Sequence, residues 1–196
     1  MNPRIDWSYQ GKPDELMGTG ATKSEKIIAY VSGLLVPLVL LYLGLNGIVR
    51  WNWWQWILAI AIGADISAGA VANALNSCKR FYHSPIQPGE ENFRIQKNPL
   101  LFTAFHIYPV IVWLAFDRAN WLFAVVWYAL LLLSAWIVLR IPLYLRRPVS
   151  VAIVLLAILM NAYLITPVGG FEWLAPLLFI KIISGHVVRE EPYRPA

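Results

Sequence analysis

The feature that most constrains this chain is a series of apolar runs, each close to the length that crosses a bilayer. The clearest run is NWLFAVVWYALLLLSAWIVLR, residues 120–140, which carries no charge before Arg140. About 20 residues of helix cross a hydrocarbon core of about 30 Å, and a helix is expected because lipid offers the backbone no hydrogen-bond partner. Hydrophobic residues make up 59% of the chain and charged residues 14%, which is outside the usual mixture of soluble domains. The sequence therefore predicts an integral membrane protein.

Six such runs predict an all-α, polytopic transmembrane helix bundle. The predicted spans cover residues 27–48, 52–78, 100–116, 120–140, 148–167 and 171–188. They leave a hydrophilic N-terminal tail over residues 1–26, a loop over residues 79–99 and a C-terminal tail over residues 189–196. The pattern TKSE at Thr22–Glu25 is typical of a capping box, so the first helix is expected to start near Lys23.

Lysine and arginine are distributed very unevenly between the two sides of this predicted bundle. Thirteen of them lie on the side of the two tails and of the loops 79–99 and 140–147, and two, Arg50 and Arg118, lie on the other side. Cytoplasmic loops carry the excess of basic residues, so six spans with both termini in the cytoplasm are expected. The same bias accounts for the net charge of +5, and no nucleic-acid partner is needed to explain it.

The second span contains an unusually polar stretch, GADISAGAVANALNSCKRFYH, at residues 63–83. If the helix continued that far, one face would carry a polar stripe, at about 100° per residue. The residues of this polar stripe are Asp65, Gly69, Asn73, Asn76, Arg80 and His83. Small neighbours such as Ala64 and Ala68 would let other helices approach closely. We therefore expect this helix to be the buried centre of the bundle, with the stripe facing protein or a water-filled cavity.

An ionisable side chain at mid-depth in a membrane is costly, which makes Asp65 a functional-site hypothesis. Lys181, in LAPLLFIKIISGHVV, lies near mid-depth of the sixth predicted span. It is the expected counter-charge of Asp65. The alternative is a structural pair that only fixes the register of two helices.

The three histidines, His83, His106 and His186, are all predicted to lie in the cytoplasmic half of the bundle. Pro109 has no N–H to donate to the carbonyl of Phe105, so the third helix is expected to kink close to His106. A histidine oriented by an aspartate can act as a general base. His106 is equally well explained as a packed, hydrogen-bonded side chain.

These observations give two sets of candidate site residues in one polar pocket open to the cytoplasm. The candidate catalytic residues are Asp65, His106 and His83. The candidate substrate-binding residues are Asn73, Asn76, Lys79, Arg80, Lys181 and His186. Lys79 and Arg80 are of the type that binds an anionic headgroup at a membrane surface, although the general bias of basic residues to that side explains them as well.

No cofactor is indicated by a motif, and no metal site is predicted. The patterns HxxxH, HExxH, DxxD, GxSxG and CxxC do not occur, and the one cysteine, Cys78, excludes an intramolecular disulfide and a cysteine-based metal cluster. Cys78 is either a small residue near a helix end or a palmitoylation site. His106 and His186 could ligate a haem iron from two helices, although their predicted depths differ by about a turn.

Two fragments, ADISAG and FHIYP, resemble the integral-membrane lipid desaturases of the plasmalogen-forming type. Those enzymes hold two irons with many histidines. This chain has three histidines in total, so the departure removes the catalytic metal. The resemblance covers about a dozen residues, and membership of that family does not follow from it.

Three functional hypotheses remain open, and whether the protein is an enzyme is undecided. The first is a multi-pass membrane protein whose pocket binds, or acts on, a lipid or an amphiphilic anionic substrate from the cytoplasmic side. The second is a non-catalytic membrane subunit or cofactor-binding protein, and the third is a small proton-linked transporter. The outer half offers few polar groups beyond Gln55 and Glu172, which favours a one-sided site over a through-path. The expected partners are the bilayer and an anionic lipid or amphiphile, and the oligomeric state is not indicated.

Overall fold

The computed structural model describes residue 14 and residues 16–189, and these residues form helices without any β-strand. The α-helices are α1 Lys23–Ser32, α2 Leu35–Leu45, α3 Trp53–Ala72, α4 Asn76–His83, α5 Pro99–Phe105, α6 Tyr108–Phe116, α7 Trp121–Arg140, α8 Leu143–Tyr163 and α9 Leu174–Phe179. A short 3₁₀ turn covers Glu91–Phe93, and α9 continues directly into a π-helix, Ile180–Val187. The all-α prediction is confirmed for this part of the chain. Most of the two predicted tails, residues 1–13 and 190–196, lies outside the described residues.

Five segments are long and apolar enough to cross a membrane. They are Lys23–Leu45, Trp53–Ala72, Pro99–Phe116, Trp121–Arg140 and Leu143–Tyr163. The remaining apolar segment, Leu174–Val187, is shorter, and at 1.5 Å per residue it reaches only about 20 Å. The described chain is thus built as a multi-pass membrane protein with five candidate spans.

The second predicted span, 52–78, is wrong at its end: it is divided into two helices, α3 and α4, which also divides the polar stripe. Helix α3 ends at Ala72 and not at residue 78, because the amides of Ala74 and Leu75 bond back three residues, each at 3.0 Å, and close the helix. Leu75 is then extended (φ −69°, ψ 143°), and α4 starts afresh at Asn76. Asn73 caps α3 and donates from its side chain to the carbonyl of Lys181 at 3.0 Å. Asn76, Arg80 and His83 therefore do not continue the face of Asp65, and the loop predicted at 79–99 starts only after His83.

The fifth span begins earlier than predicted. Helix α7 ends at Arg140 and the extended Ile141 precedes Pro142, which is the backbone that proline demands of its neighbour. Helix α8 then starts at Leu143, so Arg146 and Arg147 belong to its first turns and not to a loop over 140–147.

The most buried element is the last helix and not the second predicted span. Its buried residues are Leu174, Ala175, Leu178, Phe179, Lys181, Ile182, Ile183, Gly185, His186 and Val187. Helices α3, α5, α7 and α8 all pack against its π-helical part. Helix α3 instead keeps one face at the surface, where Trp53, Ile57 and Asp65 are exposed. On its opposite face, small residues allow close packing against α2, since a Cβ on Gly63 would lie 2.6 Å from the side chain of Val36.

The two ends of the bundle differ in chemistry. One end gathers the described residues 16–26, 73–98 and 184–189, which hydrogen-bond to one another. Residues 140–147 lie at the same end, where the charge of Arg146 acts on His83 and Arg189. We call this the basic end, since most lysines and arginines of the described chain lie there. The other, aromatic end is closed by tilted and edge-on contacts between aromatic rings whose centroids lie 4.5–5.6 Å apart, those of Trp51, Trp56, Phe116, Phe171 and Trp173.

The N-terminal segment before α1 is fixed to the basic end through close backbone contact at Gly18. Gly18 has φ +74°, and a Cβ there would lie 2.1 Å from the backbone carbon of Ser77. Gly47 has nearly the same backbone, φ +66°, but a Cβ there would meet nothing within 4 Å. The two positions differ in packing and hardly in backbone strain.

We expect Gly18→Ala to lower the thermal midpoint of the purified protein far more than Gly47→Ala. Both substitutions cost about 1–2 kcal/mol for a left-handed alanine, and Gly18→Ala must also displace α4. The check is thermal unfolding of the two variants side by side in the same detergent. Equal midpoints would contradict the docked position of residues 16–22.

Candidate functional site

Asp65 and Lys181 form an ion pair inside the span region, as their predicted depths required. Asp65 lies on α3 about 18 Å from Trp53 and about 10 Å before Ala72, at 1.5 Å per residue. The Lys181 ammonium contacts Asp65 Oδ2 and also reaches the backbone oxygen of Asp65, at 3.3 Å. The side chain of Lys181 is only 5% exposed, whereas that of Asp65 is 45% exposed. The pair thus has one buried member and one member at the surface of the bundle.

Gly69 makes room for the lysine. It lies one helical turn beyond Asp65 on α3, and a Cβ there would stand 2.4 Å from Cε and 2.9 Å from Nζ of Lys181. Any other residue at this position would push the ammonium away from Asp65. The sequence predicted Gly69 as part of the polar stripe. In the structure, its lack of a side chain leaves space for the end of the Lys181 side chain.

Tyr108 completes the contacts of the carboxylate. Its hydroxyl donates to Asp65 Oδ2 at 2.6 Å, a distance typical of hydrogen bonds to an ionised acceptor. Tyr108 is not among the site residues predicted from the sequence. Its position in the sequence could have indicated this role, because a tyrosine two residues after His106 is expected at nearly the same membrane depth as Asp65.

A break in the third predicted span puts Tyr108 in place. His106 has φ −83° and ψ 59°, and the amide of Ile107 bonds to the carbonyl of Phe105 at 2.9 Å, which is an inverse γ-turn. The kink expected from Pro109 is therefore a full interruption between α5 and α6. One carbonyl freed by the break, that of Ala104, accepts from the Tyr128 hydroxyl at 2.8 Å.

His106 is oriented by the same break. Its Nδ1 lies 2.7 Å from the carbonyl of Phe102 and must donate to it, since a carbonyl can only accept. Its ring lies edge-on to that of Tyr108, with centroids 5.6 Å apart. His106, Asp65, Lys181 and Tyr108 are therefore neighbours, and we refer to these four residues as the Asp65 site.

Three of the candidate residues instead hold the carbonyls of the π-helix. Asn73 donates to Lys181 O, as described above. Lys79, 2% exposed, donates to Val188 O at 2.7 Å and also to Gly185 O. His83 Nε2 lies 2.9 Å from His186 O, and burial followed by the charge of Lys79 lowers the His83 pKa to about 4. Lys79 and His83 satisfy acceptors at the end of a rare helix type, and Asn73 reaches a carbonyl near its start. None of the three side chains bonds to Asp65.

His186 lies in an aromatic cluster behind the Asp65 site. Its ring stacks on Phe102 (centroids 3.7 Å apart, planes at 17°) and meets Tyr82 edge-on at 4.4 Å. The ring is 1% exposed and neither nitrogen has a hydrogen-bond partner. Phe102 also contacts His106, at 4.6 Å, so its ring fills the space that a haem between the two histidines would need. Within the described ranges, no three His, Cys, Asp or Glu side chains come together as a metal site.

The remaining candidates stay outside the Asp65 site. Asn76 is exposed at the start of α4, and Arg80 is half-buried with its Nε enclosed and without a hydrogen bond. Cys78 is fully buried, and burial raises its pKa to about 12. Its thiol is therefore not presented for palmitoylation.

Together, these elements define an all-helical membrane protein with a polar site on the surface of one span. No family model, no curated protein and no solved structure matches this chain. The geometry of the Asp65 site is therefore the feature of this chain that points to a function.

The unequal burial of the pair predicts an asymmetric double-mutant cycle. Asp65→Asn strands a buried ammonium and should cost about 3–5 kcal/mol, whereas Lys181→Met leaves a half-exposed carboxylate and should cost less. The double variant should recover most of the loss. The measurement is the thermal midpoint and the yield of monodisperse protein for the four members of the cycle. Two single variants that are as stable as the parent would show that the pair contributes nothing.

Proposed function

We propose that this is a multi-pass membrane protein whose Asp65 site receives the polar group of a lipid or another amphiphile. The observation that carries the proposal is the exposure of the Asp65 carboxylate, 45%, at a position flanked on both sides by apolar helix. An ionised group that faces hydrocarbon is strongly unfavourable even when one side is paired. A polar group of a bound molecule, or water around it, is the simplest way to satisfy that surface.

A pair that only fixes helix register does not account for this exposure. Fixing register needs only the contact between Lys181 and Asp65, which two enclosed side chains would supply equally well, whereas the fold encloses Lys181 and leaves Asp65 at the surface. A through-path for a transported molecule is disfavoured by the aromatic end, where the rings of Trp51, Phe116 and Phe171 pack against one another. Binding from one side is therefore the function we propose, and no reaction is part of the proposal.

We also propose that the site opens toward the cytoplasmic half and that α9 with the π-helix forms a sixth crossing. This arrangement puts the basic end in the cytoplasm, in agreement with the bias of basic residues to that side of membranes. It is supported by the position of Asp65, which is nearer to Ala72 at the basic end than to Trp53 at the aromatic end. Both termini then lie in the cytoplasm.

The binding proposal predicts that an amphiphile co-purifies with the protein. Native mass spectrometry of protein extracted in a mild detergent should show a bound amphiphile, which the double variant Asp65→Asn/Lys181→Met should lose because the charged pair of the site is gone. Asn161→Ala is the matched control, because it removes a hydrogen bond of 2.8 Å to Glu172 O at the aromatic end. A parent protein without any bound amphiphile, or a double variant that retains it, would argue against the proposal.

The orientation is tested by thiol labelling of intact cells. Cys78 is fully buried and provides a silent background. Gly169→Cys, at the aromatic end, should react with a membrane-impermeant maleimide, whereas Gln87→Cys, at the basic end, should react only after permeabilisation. The opposite pattern would invert the topology.

A further inference from the structure

The Asp65 site leaves two side-chain atoms without a hydrogen bond, and both are acceptors. Asp65 Oδ2 takes the contacts from Lys181 and Tyr108, so Oδ1 of the same exposed carboxylate has no donor among the described residues. His106 uses Nδ1 as a donor to Phe102 O, which leaves Nε2 with a lone pair in the neutral ring. His106 Nε2 is not fully buried, since His106 is 8% exposed.

The donors of the site are already used. The Tyr108 proton points to Asp65 Oδ2, at 2.6 Å, and the Lys181 ammonium faces inward to the carboxylate and the backbone of Asp65, with a side chain 5% exposed. The charges of Asp65 and Lys181 cancel. A phosphate or carboxylate headgroup would therefore meet a carboxylate and a lone pair with no donor to receive it, and like-charge contact in a medium of low dielectric is strongly unfavourable.

A cationic headgroup fits less well than a neutral one. An ammonium could donate to Asp65 Oδ1, but it would compete with Lys181 for the same carboxylate and stand close to that second positive charge. A hydroxyl group donates without a charge. Its remaining lone pairs need no partner in the site, since a hydroxyl can stay partly hydrated.

We infer that the ligand of the Asp65 site is an amphiphile with an uncharged headgroup that carries two hydroxyl groups, one donating to Asp65 Oδ1 and the other to His106 Nε2. This inference rests on the proposed function and narrows it. It replaces the anionic headgroup expected from Lys79 and Arg80, because Lys79 is bonded to the carbonyls of the π-helix and Arg80 lies on a different helix from Asp65.

The inference is tested with three probes that share one alkyl chain and differ in the headgroup: 1-dodecylglycerol, dodecylammonium and dodecyl phosphate. Their binding to the purified full chain, after removal of co-purified amphiphile, is measured by native mass spectrometry in a non-ionic detergent. The parent protein should bind 1-dodecylglycerol about 10-fold more tightly than dodecyl phosphate, which corresponds to one or two hydrogen bonds.

The variant that removes one acceptor is His106→Leu. It should weaken 1-dodecylglycerol about 3- to 10-fold and leave dodecyl phosphate unchanged. The matched control is Trp113→Phe, which also removes a side-chain hydrogen bond to a carbonyl, that of Arg118 at 2.8 Å, but lies farther along α6 and outside the Asp65 site. If His106→Leu is not recovered folded, the headgroup preference of the parent protein decides the question.

The outcomes separate this inference from the proposed function. Tightest binding of dodecyl phosphate or of dodecylammonium, lost in the double variant Asp65→Asn/Lys181→Met, would overturn the alcohol and keep the site. Equal binding of the three probes in parent and variants would also overturn it, since the headgroup would then not be recognised. No binding of any probe, together with no co-purified amphiphile, would overturn the proposed function itself.

Discussion

The arrangement of this bundle depends on a lysine ammonium in its most enclosed helix. Lys181 lies where α3, α7 and α8 meet around the π-helix, and a charge at that position needs a partner or it destabilises the fold. Asp65 is that partner, so α3 must lie against the π-helix at one height and with one face. The same contact favours glycine at position 69, because the end of the lysine side chain lies where a Cβ would stand. One pair thus sets the distance, the height and the rotation of two helices.

The end of the same helix follows a similar rule. Carbonyls near the end of a helix have no partner within it, and those of Gly185, His186 and Val188 are instead reached by side chains from α4. Lys79 and His83 can do so because α3 stops at Ala72 and the chain turns before α4 begins. The turn that divides the polar stripe is therefore the feature that brings α4 over the π-helix. Lys79 and His83 are of the residue types that often form binding sites, but here they provide hydrogen bonds to backbone carbonyls.

The sequence was sufficient for features that depend on local pattern or on depth. The capping box at Thr22 and Glu25 is present, with hydrogen bonds of 2.7 and 3.2 Å, and the pairing of Asp65 with Lys181 followed from their depths alone. It was insufficient where a partner from another helix decides the local structure. The turn that ends α3 is held to the last helix by the bond from Asn73 to Lys181 O, and a single run of residues cannot show that contact. The π-helix has no periodic signature in an apolar segment of this length.

The break at His106 shows how one backbone irregularity can make a site in an otherwise regular membrane bundle. An unbroken helix through this region would turn successive polar side chains to different faces, at about 100° per residue. At the γ-turn, the His106 ring is instead held by the hydrogen bond from its Nδ1 to Phe102 O. Helix α6 then begins in a new direction, and the Tyr108 hydroxyl reaches Asp65 on α3. Both side chains are then positioned by backbone that is itself satisfied, through the γ-turn and Tyr128. The acceptors left open at Asp65 and His106 are therefore held in a defined geometry, which is what selective binding of a donor requires.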